Sequence, residues 1–284
     1  MESKLQRRVQ RYGWDLAATD YEPLWKEQLA CAHIKLMSCA CLAPGERVLD
    51  VACGTGLIAL GAAQAVGPDG LVVGVDLSER MVAAAEWRAR EWNVRNASFA
   101  RMDAESLAFP DGADDGGVGF DVGLCALGLM YVPDPLRAVQ ELRRVVRPGG
   151  RVVLAVWGER SHCGWASVFS IVAAEVSSDV CPLFFQLGQR DSLAQLCVEA
   201  QLEVLGQHRL TTTLIYSNEE EACDAAFVGG PVALAWSRFD ARTRERARRR
   251  YLESIDGWRR QQGFALPGEF VVVSARVPLL DTPR

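Results

Sequence analysis

The chain has 284 residues, of which 49% are hydrophobic and 24% charged. It is long enough to bury a large core in one or two domains, and too apolar for a disordered or collagen-like chain. With 31 Lys+Arg against 36 Asp+Glu the formal charge is −5, which argues against a general nucleic-acid binder.

The polar opening Met1-Glu2-Ser3-Lys4 and the lack of an unbroken apolar run of about 18 residues predict neither a signal peptide nor a membrane span. Nine cysteines, an odd number without a C-x-x-C pair or a His-rich partner, read as reduced thiols in a cytoplasm and predict no metal site.

From residue 21 to about 42 the pattern is helical. A strand follows over 47–51, then a Gly-rich turn and a small-residue helix over 57–66. A Gly-Pro-Asp-Gly break leads to a second strand over 71–75, and Ser78 is placed to cap the next helix. Third and fourth strands are expected near 98–102 and 120–125, separated by a Gly/Asp loop over 111–119. A helix over 135–146 ends at Arg147-Pro148-Gly149-Gly150, ahead of a fifth strand over 151–156. Strands alternating with helices in this way predict a parallel sheet flanked by helices.

Beyond 157 the spacing predicts helices over 165–176 and 191–200, a strand over 203–212, helices across 219–258 and a last strand over 269–277. The run 242–250 carries six arginines and reads as a solvated helix face, since no aromatic residues interleave with it for base stacking. No repeat or linker divides the chain. It is read as an N-terminal helical segment (1–45), a binding core (46–156), and helices, lid and final strands of the same sheet (157–284).

The chemistry concentrates in Val48-Leu49-Asp50-Val51-Ala52-Cys53-Gly54-Thr55-Gly56-Leu57, a strand, a tight turn and a helix start. Gly54 and Gly56 let the backbone approach a ligand and expose amide donors. Asp50 ends the first strand, Asp76 the second and Asp103 the third. A carboxylate at Asp76 can accept both ribose hydroxyls, and Asp103 can accept from an adenine amine. Gly54-x-Gly56-x-x-Ala59 also satisfies the looser dinucleotide fingerprint. Asp50 counts against that reading, because it would repel a pyrophosphate and attract an ammonium. The pattern therefore suits a nucleoside with a cationic tail, as in S-adenosylmethionine (SAM).

These segments resemble the motifs of class I SAM-dependent methyltransferases, specifically the ubiquinone/menaquinone-biosynthesis group. Val48–Leu57 is similar to its glycine motif and Gly74-Val75-Asp76-Leu77-Ser78-Glu79-Arg80-Met81 to its ribose motif. Met102-Asp103-Ala104-Glu105, Phe120-Asp121-Val122 and Val146-Arg147-Pro148-Gly149-Gly150 follow in order. Ala52 stands where the family has its first glycine, a departure expected to cost little. The resemblance implies an α/β, Rossmann-like seven-stranded sheet with an antiparallel last strand and helical insertions forming a lid. It implies SAM as cofactor, with Asp50, Ala52, Gly54 and Gly56 at the methionine end and Asp76 on the ribose. Leu77 and Met81 would lie against the adenosine, Asp103 and Ala104 at the adenine, and the Cys125 backbone beneath the sulfonium. Tyr21 resembles an aromatic that closes over the cofactor.

For the acceptor, His162 and Tyr131 are the candidate catalytic residues, since both follow strands at the expected sheet edge. The aromatics Trp165, Phe169, Phe184, Phe185, Phe227, Trp236, Phe239 and Trp258 suggest an apolar small-molecule acceptor with an O, N, C or S nucleophile. A thiol, sulfide or metalloid acceptor is an alternative, as is a catalytically silent SAM-binding regulator. The expected partner is the small acceptor, without nucleic acid or membrane insertion, and a homodimer is left open.

Overall fold

In the computed structural model, which describes residues 3–112, 119–176, 181 and 183–279, the β-branched run Arg47–Val51 (β1) lies near the middle of a seven-stranded sheet. The other strands are β2 (Leu71–Asp76), β3 (Ala97–Arg101), β4 (Phe120–Ala126), β5 (Val146–Trp157), β6 (Glu203–Tyr216) and β7 (Phe264–Arg276). Their spatial order is β3-β2-β1-β4-β5-β7-β6. The first five strands are parallel, and β7 is antiparallel to both of its neighbours, as the resemblance implied. The order reverses between β2–β1 and β1–β4, so the carboxyl end of β1 opens onto the crevice where sheets of this kind bind ligands.

The helices are α1 (Ser3–Ala17), α2 (Tyr21–Ala40), α3 (Leu57–Val66), α4 (Glu79–Glu91), α5 (Pro135–Val145), α6 (Ser167–Val176), α7 (Ser192–Glu199), α8 (Glu219–Phe227), α9 (Ala233–Ser237) and α10 (Ala241–Ile255). Several start where the side chains dictate. Ser78 accepts from the Met81 amide at 3.1 Å, and Asp134 caps α5 ahead of Pro135. Residues alternate along the strands between two cores. Val48, Val72, Leu124 and Val153 pack with Leu36 of α2 and Ile58 of α3. Leu49, Val51, Val75 and Leu154 share the other cluster with Leu142 of α5 and Leu196 of α7.

The largest departures from the expected strand limits are in β5, β6 and β7, and those of β5 and β7 fall at Pro-Gly pairs. β5 runs straight through Arg147-Pro148-Gly149-Gly150, with a register shift opposite Phe120 and Val122 that absorbs the irregularity. β7 begins at Phe264, upstream of Pro267 and Gly268, and β6 extends to Tyr216 to pair with it. Pro and Gly read as turn punctuation, yet here the sheet carries them inside strands. The expected loop over 111–119 lies in part outside the described residues.

Candidate active site

The turn after β1 is bound to the end of β2. The Asp76 carboxylate accepts from the Gly54 amide at 2.9 Å through Oδ2, and from the Ser78 amide at 2.8 Å through Oδ1. One lone pair on each oxygen remains for another donor. Burial raises this carboxyl to about 6, against the opposing pull of those amides. Asp50, one turn deeper, is fully buried. Among the described residues, neither of its oxygens has a hydrogen-bond partner. Burial pushes it up to about 8, with the nearby Asp76 charge adding to the effect and the Ala59 amide opposing it.

Gly56 starts α3 in the left-handed region at φ +85°, and a Cβ there would come within 3.1 Å of the Ala85 methyl. Ala52 adopts φ +57° without being glycine. That conformation costs an L-residue roughly 1–2 kcal/mol, so the replacement of the family's glycine is not free, contrary to expectation. The Ala52 methyl sits against Gly128, where an added Cβ would come within 2.3 Å of it. The turn after β1 therefore packs directly on the turn after β4.

These turns border a cavity that is open at its mouth. Its walls include Tyr21, Ala52, Gly54, Asp76, Leu77, Met81, Asp103, Ala104 and Tyr131, bringing together nine of the residues singled out in the sequence. Asp50 lies behind it in a smaller void, with Tyr21, Thr55 and His33. Gly56 supports the turn from beneath. At the floor the wall is made by Ala126, Leu127 and Gly128 in place of Cys125, which is buried one residue upstream.

The roof is a departure from expectation. It comes from α1, whose Arg7, Gln10 and Trp14 fall on one face at i, i+3 and i+7. Among the described residues, none from 158–268 lines this cavity. Trp14 makes edge contacts with Tyr21 and Tyr131 at 5.6 and 5.0 Å between ring centres. Asp15 holds α1 down by accepting from Ser78 Oγ at 2.6 Å. Arg7 pairs with Asp103 at 2.9 Å and with Glu105, so the carboxylate assigned to the adenine amine already faces a cation. At the start of α2, Glu22 pairs with Arg88, which also donates to the Thr55 carbonyl. That bridge fixes Tyr21 above Gly54.

The sequence did not single out α1. Its signal was the helical spacing of Arg7, Gln10 and Trp14. Burial depresses the His33 imidazole of α2 to about 4, so it is neutral beside Asp50.

His162 is elsewhere. It ends the 3-10 turn Arg160–His162, half exposed, with Nδ1 2.8 Å from Glu269 Oε1. Glu269 is buried and also accepts from Arg209 at 2.8 Å and the Glu159 amide at 2.9 Å. His162 thus belongs to a polar network on β7, outside the cavity walls. Tyr131 is in the wall, but burial pushes its phenol well up. It is a neutral donor at physiological pH and is not suited to be a base.

Of the aromatics in the second half, Phe169, Phe184 and Phe185 pack on one another and on Trp165, while Phe227 stacks on Trp236 at 4.5 Å. Burial pushes the Cys163 thiol up to about 12 and Cys181 to about 11. Among the described residues, no group of three His, Cys, Asp or Glu side chains is placed to hold a metal ion. No helix among them is long and apolar enough to cross a membrane. In the arginine run, Arg246 and Arg250 pair with Glu175 and Arg248 pairs with Asp224.

Residues 22–184 match the family model of the ubiE/COQ5 methyltransferase family, more than half of the chain. Demethylmenaquinone methyltransferase of Listeria welshimeri is 33% identical over 126 residues, covering 44% of this chain and 51% of that protein. The enzyme of the same name from Geobacillus kaustophilus is 38% identical over 125 residues, with the same coverage. The match thus spans about half the length of these curated relatives. A candidate methyltransferase of Bacillus halodurans C-125 has the same fold, with a TM-score of 0.61 at 21% identity over 87% of this chain and 98% of that one.

Proposed function

This chain belongs to the ubiE/COQ5 methyltransferase family, and from that premise we propose that it transfers a methyl group from SAM to a largely apolar small molecule. The observation that carries the reading is Asp50. Ionised and without a partner, this buried carboxylate would cost several kcal/mol, so it holds its proton in the ligand-free protein, and a cationic ligand group at the glycine turn would let it ionise. An ammonium does so, whereas a pyrophosphate would not. The residues present therefore fit SAM.

Bound there, SAM supplies an electrophilic methyl group on a sulfonium. The chain's own residues bind and orient. Asp50 and the Gly54 turn hold the amino-acid end, and Asp76 accepts the ribose hydroxyls through its free lone pairs. Leu77 and Met81 would lie against the adenosine, with Asp103 and Ala104 at the adenine. Tyr21, Trp14 and Tyr131 cover the reacting end and exclude water, leaving alignment as the main contribution to rate. Tyr131 keeps its proton and can orient an acceptor by donating to it.

The test is a thermal-shift comparison of SAM and S-adenosylhomocysteine with NAD and NADP, followed by S-adenosylhomocysteine release over a panel of phenols, amines, thiols and carbon acids. Stabilisation by NAD alone would overturn the reading. SAM binding with no turnover on any acceptor would instead favour a silent binder.

A further inference from the structure

Beyond the carboxyl end of β5 a groove opens between Glu159, Arg160, Ser161, Gln189, Arg190 and Trp258. It shares no wall residue with the cofactor cavity. Arg190 meets Glu159 through its backbone amide, at 3.4 Å. Among the described residues, neither its guanidinium nor that of Arg160 has an ion-pair or hydrogen-bond partner. Glu159 is the only acid among the described residues of the wall, and its carboxylate also faces Arg209 at 3.8 Å. The groove therefore holds a local excess of positive charge in a chain whose formal charge is −5.

The Arg190 backbone is also strained. Its φ of +39° lies in the left-handed region that an arginine adopts only under constraint. The Arg190 carbonyl accepts from Arg209 Nη2 at 2.5 Å and from Gln207 Nε2 at 3.2 Å. Arg209 is in turn fixed by the buried Glu269 carboxylate at 2.8 Å. Two residues before Arg190, Gly188 lies so close to the end of β5 that a Cβ would come within 2.1 Å of the Trp157 carbonyl oxygen. The surroundings thus impose the conformation, and strain imposed in this way is found at binding sites. Glycine would adopt it freely, so what the arginine adds is its unpartnered side chain. Trp258, at the end of the 3-10 turn Asp256–Trp258, gives the same groove an aromatic surface.

We propose that this groove is a second ligand site, separate from the cofactor cavity, for a small organic oxyanion: a carboxylate or phosphate held by Arg160 and Arg190, with an aromatic body against Trp258. Guanidinium groups form charge-assisted, bidentate bonds with either oxyanion. The indole surface favours an organic anion over a bare inorganic one. The proposal does not rest on methyl transfer, and binding alone tests it.

Calorimetry on the full chain compares phenyl phosphate, benzoate, inorganic phosphate and benzyl alcohol. Phenyl phosphate or benzoate should bind at least fivefold more tightly than inorganic phosphate and benzyl alcohol, and the tighter of the two identifies the oxyanion. Saturation with S-adenosylhomocysteine should change that affinity by less than twofold. Arg160→Gln and Arg190→Gln should each weaken the organic anion about fivefold, the upper range for an exposed ion pair. Trp258→Ala should bring it down to the affinity of inorganic phosphate. Arg190→Gly should show the same fivefold loss while melting no lower than the unaltered protein, because glycine accepts φ +39°. Binding of no probe, equal binding of benzyl alcohol or inorganic phosphate, displacement by S-adenosylhomocysteine, or arginine variants that bind as before would each overturn the proposal. So would a lower melting temperature in Arg190→Gly, which would make the arginine a residue of the fold.

Discussion

The Gly54 amide donates to the Asp76 carboxylate at 2.9 Å, so the residue assigned to the cofactor's ribose is also what shapes the cofactor's turn. From sequence, Asp76 looks like a strand-end acid whose loss the fold would tolerate. In the structure it is the acceptor for two backbone amides, Gly54 and Ser78. Asp76→Ala should therefore weaken SAM by about tenfold to a hundredfold, the worth of charge-assisted bonds of roughly 1.5–3 kcal/mol. It should also lower the melting temperature of the ligand-free protein, because the two amides lose their partner. Calorimetry and a thermal melt on one preparation check both, and an unchanged dissociation constant would remove Asp76 from the site.

Ala52 makes the opposite kind of prediction. Exchanging alanine for glycine ordinarily destabilises, through the added freedom of the unfolded chain, by about 0.4–1 kcal/mol. At φ +57° the folded state gains as much or more from losing the methyl. Ala52→Gly should be neutral or stabilising in denaturant unfolding. A loss of 1 kcal/mol or more would show that the methyl's contact with Gly128 outweighs the backbone conformation.

Most of the binding core was legible because its information is local. β1 and α3 have the predicted limits, and Ser78 caps where its position suggested. Tyr21, Asp76, Leu77, Met81, Asp103 and Ala104 meet at one cavity because each follows a strand or starts a helix at the same sheet edge. What was not legible depends on partners far away in sequence. Nothing near Arg7 indicates that it will meet Asp103, and the spacing of Arg7, Gln10 and Trp14 says only that they share a face. The lid was sought in 158–268, where the aromatics are dense. Most of those aromatics fill core, and among the described residues none from that stretch lines the cofactor cavity. Pro267 misled because its setting is also long-range: β5 pairs with β7 only as far as Phe270, so one edge of β7 is free at Pro267, where a strand tolerates a residue without an N–H.

The two candidate catalytic residues should now separate. His162 is half exposed and bonded to Glu269, outside the cavity. His162→Ala should leave kcat/KM within about twofold, since His162 lies outside the walls of the cofactor cavity. Tyr131→Phe removes the one polar side-chain atom of a residue in the cavity wall. It should lower kcat/KM for an oxygen-bearing acceptor about fivefold to tenfold, one neutral hydrogen bond, with SAM affinity unchanged. A larger effect from His162→Ala than from Tyr131→Phe would reverse the assignment.

Asp50 ties cofactor binding and stability to pH, and the sign follows from its raised carboxyl. In the ligand-free protein it titrates at about 8, well above the ordinary aspartate value it has when unfolded. Between those values the folded state holds the extra proton, so this group's contribution to stability is full below about pH 4. It falls as pH rises toward 8. Asp50→Asn carries no such proton and should flatten that decline, melting a few degrees above the unaltered ligand-free protein at pH 8. Cofactor binding runs the other way. An ammonium needs Asp50 ionised, so SAM affinity should rise between pH 6 and 8, by up to about tenfold per unit while the carboxyl is still protonated. In Asp50→Asn that rise should be lost and affinity should be low throughout. The decisive measurement is SAM affinity by calorimetry at pH 6, 7 and 8 for both proteins. A pH dependence that survives in Asp50→Asn would assign the titration to another group, with Asp76, raised to about 6, next in line.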